Sequence, residues 1–181
     1  MSTPGISIRR ESRGDIPAIG RVTTAAFLAA PHSSHTEEFI VDALRKAGKL
    51  AVSTVATHDY EVIGHVAASP VTISGTEASW YGLGPVSVLP SYQRRGIGSA
   101  LVMDALLALS SSGAAGCVVL GAPAFYERFG FKANEALVLP GVSPENFLAV
   151  SFDSSTPRGI VAYHDAFQAR ATAQLGRDLN D

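Results

Sequence analysis

Residues 90–102 read PSYQRRGIGSALV, which places two arginines and two glycines at the opening of an otherwise apolar helix. Gly96 and Gly98 each cost roughly 1 kcal/mol relative to alanine inside a helix, so some benefit must offset them. The hydrophobic strand GPVSVLP runs straight into this stretch. The residues that follow it bring backbone N–H groups to a helix start, where orphan donors and the positive end of the dipole favour an anion. Neither glycine has a Cβ to keep a phosphate away, and Arg94 and Arg95 add positive charge beside it, as a pyrophosphate cradle requires. A glycine pair also suits tight packing of a helix on a sheet, and exposed arginines are commonly just solvated, so on spacing alone both readings stand. The stretch lacks the GK[ST] ending of a nucleoside-triphosphate loop. It also lacks the G-x-G-x-x-G order followed by a suitably placed acid, and the reading turns away from NTPases and dinucleotide oxidoreductases.

The single cysteine, Cys117, lies in the apolar run GCVVLGA. One unpaired cysteine builds neither a disulfide framework nor a metal cluster, and the expectation is a small core residue with no metal site in the chain. Trp80 and Tyr81 are read as strand packing, with a part in shaping a pocket as the alternative.

Several elements must position these groups. ISIRRESRGDIPAIGRVTTAAF reads as a strand followed by a helix that Asp15 caps, with Pro17 in its first turn. In PHSSHTEEFIVDALRKAGKL, Ser34 and Glu37 have capping-box spacing, Phe39, Ile40 and Leu44 make an apolar stripe, and Gly48 ends the helix. LAVSTVAT, EVIGHVAASPVTI and WYGLGPVSVL read as consecutive antiparallel strands. Ile97, Leu101, Val102, Ala105, Leu106 and Leu109 recur at helical spacing, so a third and longest helix runs to about Ser112. GCVVLG reads as a buried strand and APAFYERFGF as a short helix opened by Pro123 and closed by Gly130, with Phe125 and Phe129 on its inner face and Phe131 folding back. EALVLP and NFLAVSFD are expected to form a hairpin, and the tail from PRGIVAYHDAF gives a short strand and then a segment that frays from about residue 170.

With 181 residues, 46% of them hydrophobic and 17% charged, the chain fits one α/β domain spanning residues 1–181. Its formal net charge of −2 gives no basic field to draw it to nucleic acid or an anionic membrane. No segment approaches the ~20 apolar residues that cross a bilayer, and a cytoplasmic location is expected. The apolar C-terminal strands suggest a homodimer.

QRRGIG at 93–98 matches the Q/R-x-x-G-x-G/A signature of the GNAT superfamily of acyl-CoA-dependent N-acyltransferases, and FYERFGF at 125–131 resembles the F-Y-E-x-x-G-F segment after the next strand in many members. The chain looks closest to a bacterial subgroup with VLPSYQRRGIGSAL, VVLGAPAFYERFGF and GIVAYHDAF, and the resemblance extends over most of its length. It implies a mixed, mostly antiparallel sheet with a central splayed parallel pair and flanking helices. It also implies that acetyl-CoA lies between the splayed GPVSVL and GCVVLG strands, with Val86, Ser87 and Val88 along the acyl arm and Gln93, Arg94, Arg95, Gly96, Ile97, Gly98 and Ser99 around the pyrophosphate. A β-bulge near Ser87 would assist the splay.

The reaction the resemblance implies is direct attack of a primary amine, from a small molecule or peptide, on the thioester, so Cys117 has no required part. Val88 N–H would meet the carbonyl oxygen, and Tyr126 would protonate the departing thiolate, with half-buried aromatic packing as its plain reading. The general base is open among Glu37, Glu38, His32, His35 and His65, each of which also has an ordinary structural reading. A noncatalytic acyl-CoA-binding or regulatory protein on the same scaffold is the alternative to an enzyme.

Overall fold

The computed structural model describes residues 5–28, 36–154 and 157–169. Its centre is a long antiparallel meander: β1 (Ile6–Arg10), β2 (Val52–His58), β3 (Glu61–Ile73) and β4 (Thr76–Val88) pair in sequence order. The turns between β2 and β3 and between β3 and β4 are two residues long. Asp59, Tyr60, Ser74 and Gly75 all take positive φ there, which matches the twist of paired strands. β4 then starts at Thr76, four residues before the expected Trp80.

Two helices precede β2 and one follows β4. α1 (Ile16–Phe27) and α2 (Glu37–Lys46) cover one face of the sheet, where Ile19 and Val41 pack on Val55. α3 (Ile97–Ser111) covers the other, with Leu101, Val102, Ala105 and Leu109 clustered against Val52, Ala56, Val66 and Ala68. Val55 and Ala56 are strand neighbours and point to opposite faces, so both layers are buried on the same strand. All six apolar positions expected for α3 are buried. Gly48 at φ +66° ends α2, with Lys49 N–H returning to Leu44 O at 2.9 Å, the expected left-handed cap.

β5 (Gly116–Leu120) lies parallel to β4, and β8 (Phe147–Ser151) lies antiparallel to β5. Between them come α4 (Pro123–Tyr126), a tight turn to Gly130 at φ +89°, the two-residue strand β6 (Lys132–Ala133), and β7 (Leu137–Val138). Phe131 folds back as expected and is fully buried. β9 (Gly159–Tyr163) takes the β3 edge beyond the reach of β2, pairing at Val71, Thr72 and Ile73.

Four local expectations need correction. EALVLP and NFLAVSFD do not pair with each other: β7 runs parallel with β9, whereas β8 pairs with β5 and β6. Phe147 and Leu148 are buried on β5, and that burial outweighs the local hairpin. Asp15 stands at the N-cap position of α1, but its carboxylate turns back to accept from Ser12 N at 2.7 Å and from Arg9 Nη2 at 2.9 Å. Arg9 and these bonds hold the Asp15 carboxyl well below the usual carboxylate range. α2 has its N-cap position at Thr36, so Glu37 is its first residue rather than the third of a capping box, and Ser34 lies outside the described residues. Its buried stripe is Ile40, Val41 and Leu44, with Phe39 only partly covered. The expected frayed tail from about residue 170 also lies outside the described residues.

Candidate active site

β4 and β5 pair only at Trp80–Gly116, Tyr81–Cys117 and Gly82–Val118, and past Gly82 they part. The cause lies in β4. Against β3, Leu83 faces Ala68 and Val86 faces Val66, so β4 spends one residue more than its partner over this stretch. The surplus is a bulge at Gly84 and Pro85, with Gly84 at φ +139° and a proline that has no N–H to offer a ladder. The bulge expected near Ser87 is present just before it: Ser87 itself pairs regularly with His65, and the surplus residue lies at Gly84 and Pro85.

Leu89 N–H bonds to Ile63 O at 2.9 Å, so that residue addresses β3. Successive strand residues direct their amides to opposite edges, and Val88 and Val86 therefore turn N–H and C=O toward the opened edge. Val88 O accepts from Gln93 Nε2 at 3.0 Å, which ties the following loop to the strand end. That loop curls through positive φ at Arg94 (60°) and Gly96 (81°) before α3 begins. Ala100 N–H closes the first helical turn on Gly96 O at 2.9 Å, so the amides of Ile97, Gly98 and Ser99 come before the ladder and face outward from the helix end.

These groups border a cavity of about 490 Å³ lined by Val86, Val88, Gln93, Arg94, Gly96, Gly98, Ser99, Phe125, Tyr126 and Arg128. Eight of the eleven expected site residues are among them. The other three direct their side chains elsewhere: Ser87 Oγ donates to Thr23 Oγ1 at 3.4 Å beneath α1, the Arg95 guanidinium sits 5.3 Å from the Tyr92 ring centroid, and Ile97 is buried in the core. Those three can border the site only through their backbone. Phe125 and Arg128 join the walls unexpectedly as cleft residues, with the Arg128 guanidinium 5.1 Å from the Phe125 ring. One turn of helix separates them, and a cation one turn after an aromatic in FYERFGF was the signal available.

A Cβ at Gly98 would meet only Phe125 Cζ and Val88 Cγ2, both at 3.8 Å, on the cavity wall. Tyr126 packs edge-on to Phe125 and Phe131, with centroids at 4.9 and 5.8 Å. Its ring also occupies the space a Cβ would need at Gly121. Burial pushes its phenol up to about 12, with a smaller effect from Cys117, so the hydroxyl stays protonated and is a donor. Cys117 is fully buried and burial raises its thiol far above the range where a thiolate forms, which leaves it a core residue.

The structure separates the base candidates. His65 is fully buried and its Nε2 lies 2.8 Å from Ser53 Oγ, away from the cavity. Burial pushes its imidazole down to about 4. Ser53 Oγ donates to Glu11, which Arg45 clamps through Nε at 3.1 Å and Nη2 at 2.8 Å. Glu38 Oε2 accepts from Thr24 Oγ1 at 2.6 Å in a surface tie between α1 and α2. His32 and His35 lie outside the described residues. Trp80 is buried over Gly116, and Tyr81 packs against the main core cluster, in line with strand packing.

Glu37 lines a second cavity, of about 320 Å³, which begins where the first one ends along β4. Leu83, Gly84 and Pro85 belong to this cavity, whereas Val86 and Val88 belong to the first. Its other walls among the described residues are Phe27, Ile40, Leu120, Leu139, Tyr163 and Phe167. Among the described residues no group of three or more His, Cys, Asp or Glu is placed to hold a metal ion, and no helix is long and apolar enough to cross a membrane.

Residues 49–133 match the family model described as the acetyltransferase (GNAT) domain. The uncharacterized N-acetyltransferase YhbS of Escherichia coli K12 is 39% identical over 126 residues, covering 69% of this chain and 72% of that protein. A crystal structure of a GNAT family acetyltransferase from Brucella melitensis in complex with acetyl-CoA superposes with a TM-score of 0.81 at 47% identity, over 90% of this chain and 97% of that one. The structure of Escherichia coli YhbS in complex with CoA gives a TM-score of 0.83 at 33% identity, over 93% and 96%.

Proposed function

The chain belongs to the GNAT acetyltransferase family, and from that premise we propose that it transfers an acetyl group from acetyl-CoA to the primary amine of a small molecule or peptide. The observation that supports this is the meeting, along one cavity, of the opened β4 edge, the glycine-bearing start of α3 and Tyr126. The cavity suits the cosubstrate: outward amides and Gly98 meet the pyrophosphate, and Val86 offers backbone donors and acceptors to an amide-bearing arm. Acetyl-CoA supplies an activated thioester carbonyl. Val88 N–H donates to its oxygen as negative charge gathers there, a preorganised donor of the kind that lowers such barriers most.

Tyr126 donates a hydrogen bond to the leaving sulfur. The amine nitrogen forms the new C–N bond, the C–S bond breaks, and sulfur keeps the electron pair. An incoming ammonium carries three protons: one stays on the product amide, one ends on sulfur, and one passes to solvent. Because the phenol is a weaker acid than a thiol near 8.5, Tyr126 eases the departure of the thiolate and does not end as tyrosinate.

Incubation with acetyl-CoA and a panel of primary amines tests the proposal, with free CoA thiol and the acetylated product followed together by mass spectrometry. Stoichiometric appearance of both is expected. Binding of acetyl-CoA with no turnover of any amine would favour a noncatalytic acyl-CoA-binding protein instead.

A further inference from the structure

The cavity of about 320 Å³ has a composition that selects among amines. Phe27, Ile40, Leu83, Leu139 and Phe167 give it aromatic and aliphatic walls, and among the described lining residues Glu37 carries the only charge. At the other extreme is Tyr163. Its ring lies directly against Gly82, the last β4 residue paired with β5, so it reaches the point where the strands part. Its hydroxyl is buried and has no hydrogen-bond partner. A buried hydroxyl without a partner is costly unless something else completes it. The described lining thus carries one acidic side chain, an apolar body and, in Tyr163 near the split, a buried hydroxyl without a partner.

On the reading that this chain is an acetyltransferase, we propose that this cavity is its acceptor site and takes a monoamine with an apolar, aryl or alkyl, body. Glu37 draws in the ammonium, the apolar walls bury the body of the molecule, and the Tyr163 oxygen accepts an N–H bond that holds the nitrogen toward the thioester cavity. Together the described walls favour such an amine over the alternatives. A polyamine or aminoglycoside brings further charges for which the described lining holds no second acid. A basic peptide has the same defect, and a cavity of this size admits only a fragment of it. Phe27 and Phe167 add a face for the cation as it enters.

The test is titration calorimetry on the CoA-loaded protein, with phenethylamine and spermidine as probes. Phenethylamine is expected to bind at least about tenfold more tightly than spermidine. Glu37→Gln should lower its affinity by roughly ten- to a hundredfold, the range for a charge-assisted hydrogen bond, with acetyl-CoA affinity unchanged. Leu139→Asp should reverse the preference of the two probes. Tyr163→Phe, which keeps the ring on Gly82, should lower kcat for phenethylamine with little change in KM. Equal or tighter binding of spermidine, or indifference of phenethylamine to both Glu37→Gln and Leu139→Asp, overturns the inference. Tight phenethylamine binding without CoA release would support the site and sink acetyl transfer. Turnover of other amines without phenethylamine binding would do the reverse.

Discussion

The Tyr163 ring occupies the space that a side chain at Gly82 would fill: a Cβ built there would overlap Cε1 and come within 2.9 Å of Cδ1 and Cζ. Gly82 is held between Ser69 of β3 and Val118 of β5, so the strand cannot retreat. Gly82→Ala should therefore destabilise the protein by about 1–3 kcal/mol, as overpacking does. Urea denaturation of the single variants and of Gly82→Ala with Tyr163→Ala checks the cause. The penalty of the alanine should shrink when the ring is absent, and an additive pair would show that the two residues do not compete for the same space.

Gly98 offers a cleaner separation of ligand from fold. A Cβ there touches its protein neighbours only at ordinary contact distance, and alanine is the better helix former by roughly 1 kcal/mol. Gly98→Ala should leave stability unchanged or slightly raised, while acetyl-CoA affinity falls at least about tenfold because the methyl group stands in the cradle. Thermal unfolding and calorimetry on one preparation read both quantities. Lower stability with unchanged affinity would assign the glycine to helix packing.

The core histidine sets a pH dependence. Burial pushes His65 down to about 4, with Glu11 opposing and Arg45 assisting, whereas the unfolded chain has an ordinary imidazole near 6.5. Between these values the unfolded state binds more protons, so stability rises with pH across the window. The contribution is fully present above pH 6.5 and is lost as pH falls toward 4. From pH 7 to pH 5 it is worth on the order of 2 kcal/mol. His65→Gln should flatten the urea-derived stability over that interval, and an unchanged slope would contradict the buried neutral imidazole.

Much of this was legible where sequence pattern and burial coincide. The period of α3 identified six core positions, and glycines at a helix start after an apolar strand led to the larger cavity. The hairpin of EALVLP with NFLAVSFD was misread because an apolar run declares that it will be buried but not against which strand; β8 buries more on β5 than on a two-residue β7. Ser87, Arg95 and Ile97 sit within the expected motif, yet strand alternation and helix phase turn their side chains away from the cavity. The smaller cavity had no local signature at all. Phe27, Glu37, Leu83, Leu139 and Tyr163 come from five separated segments that only the folded sheet assembles.

The proposed leaving-group donor, Tyr126, is the centre of the proposed chemistry. Single-turnover measurement of CoA release by wild type and Tyr126→Phe, each saturated with acetyl-CoA and an amine substrate, isolates its hydroxyl, because phenylalanine keeps the ring packed on Phe125, Phe131 and Gly121. The rate should fall on the order of 10²-fold, the lower range for removing one preorganised hydrogen-bond donor, with acetyl-CoA affinity unchanged. Release of CoA at the wild-type rate by Tyr126→Phe would contradict the assignment of the leaving-group donor to this residue.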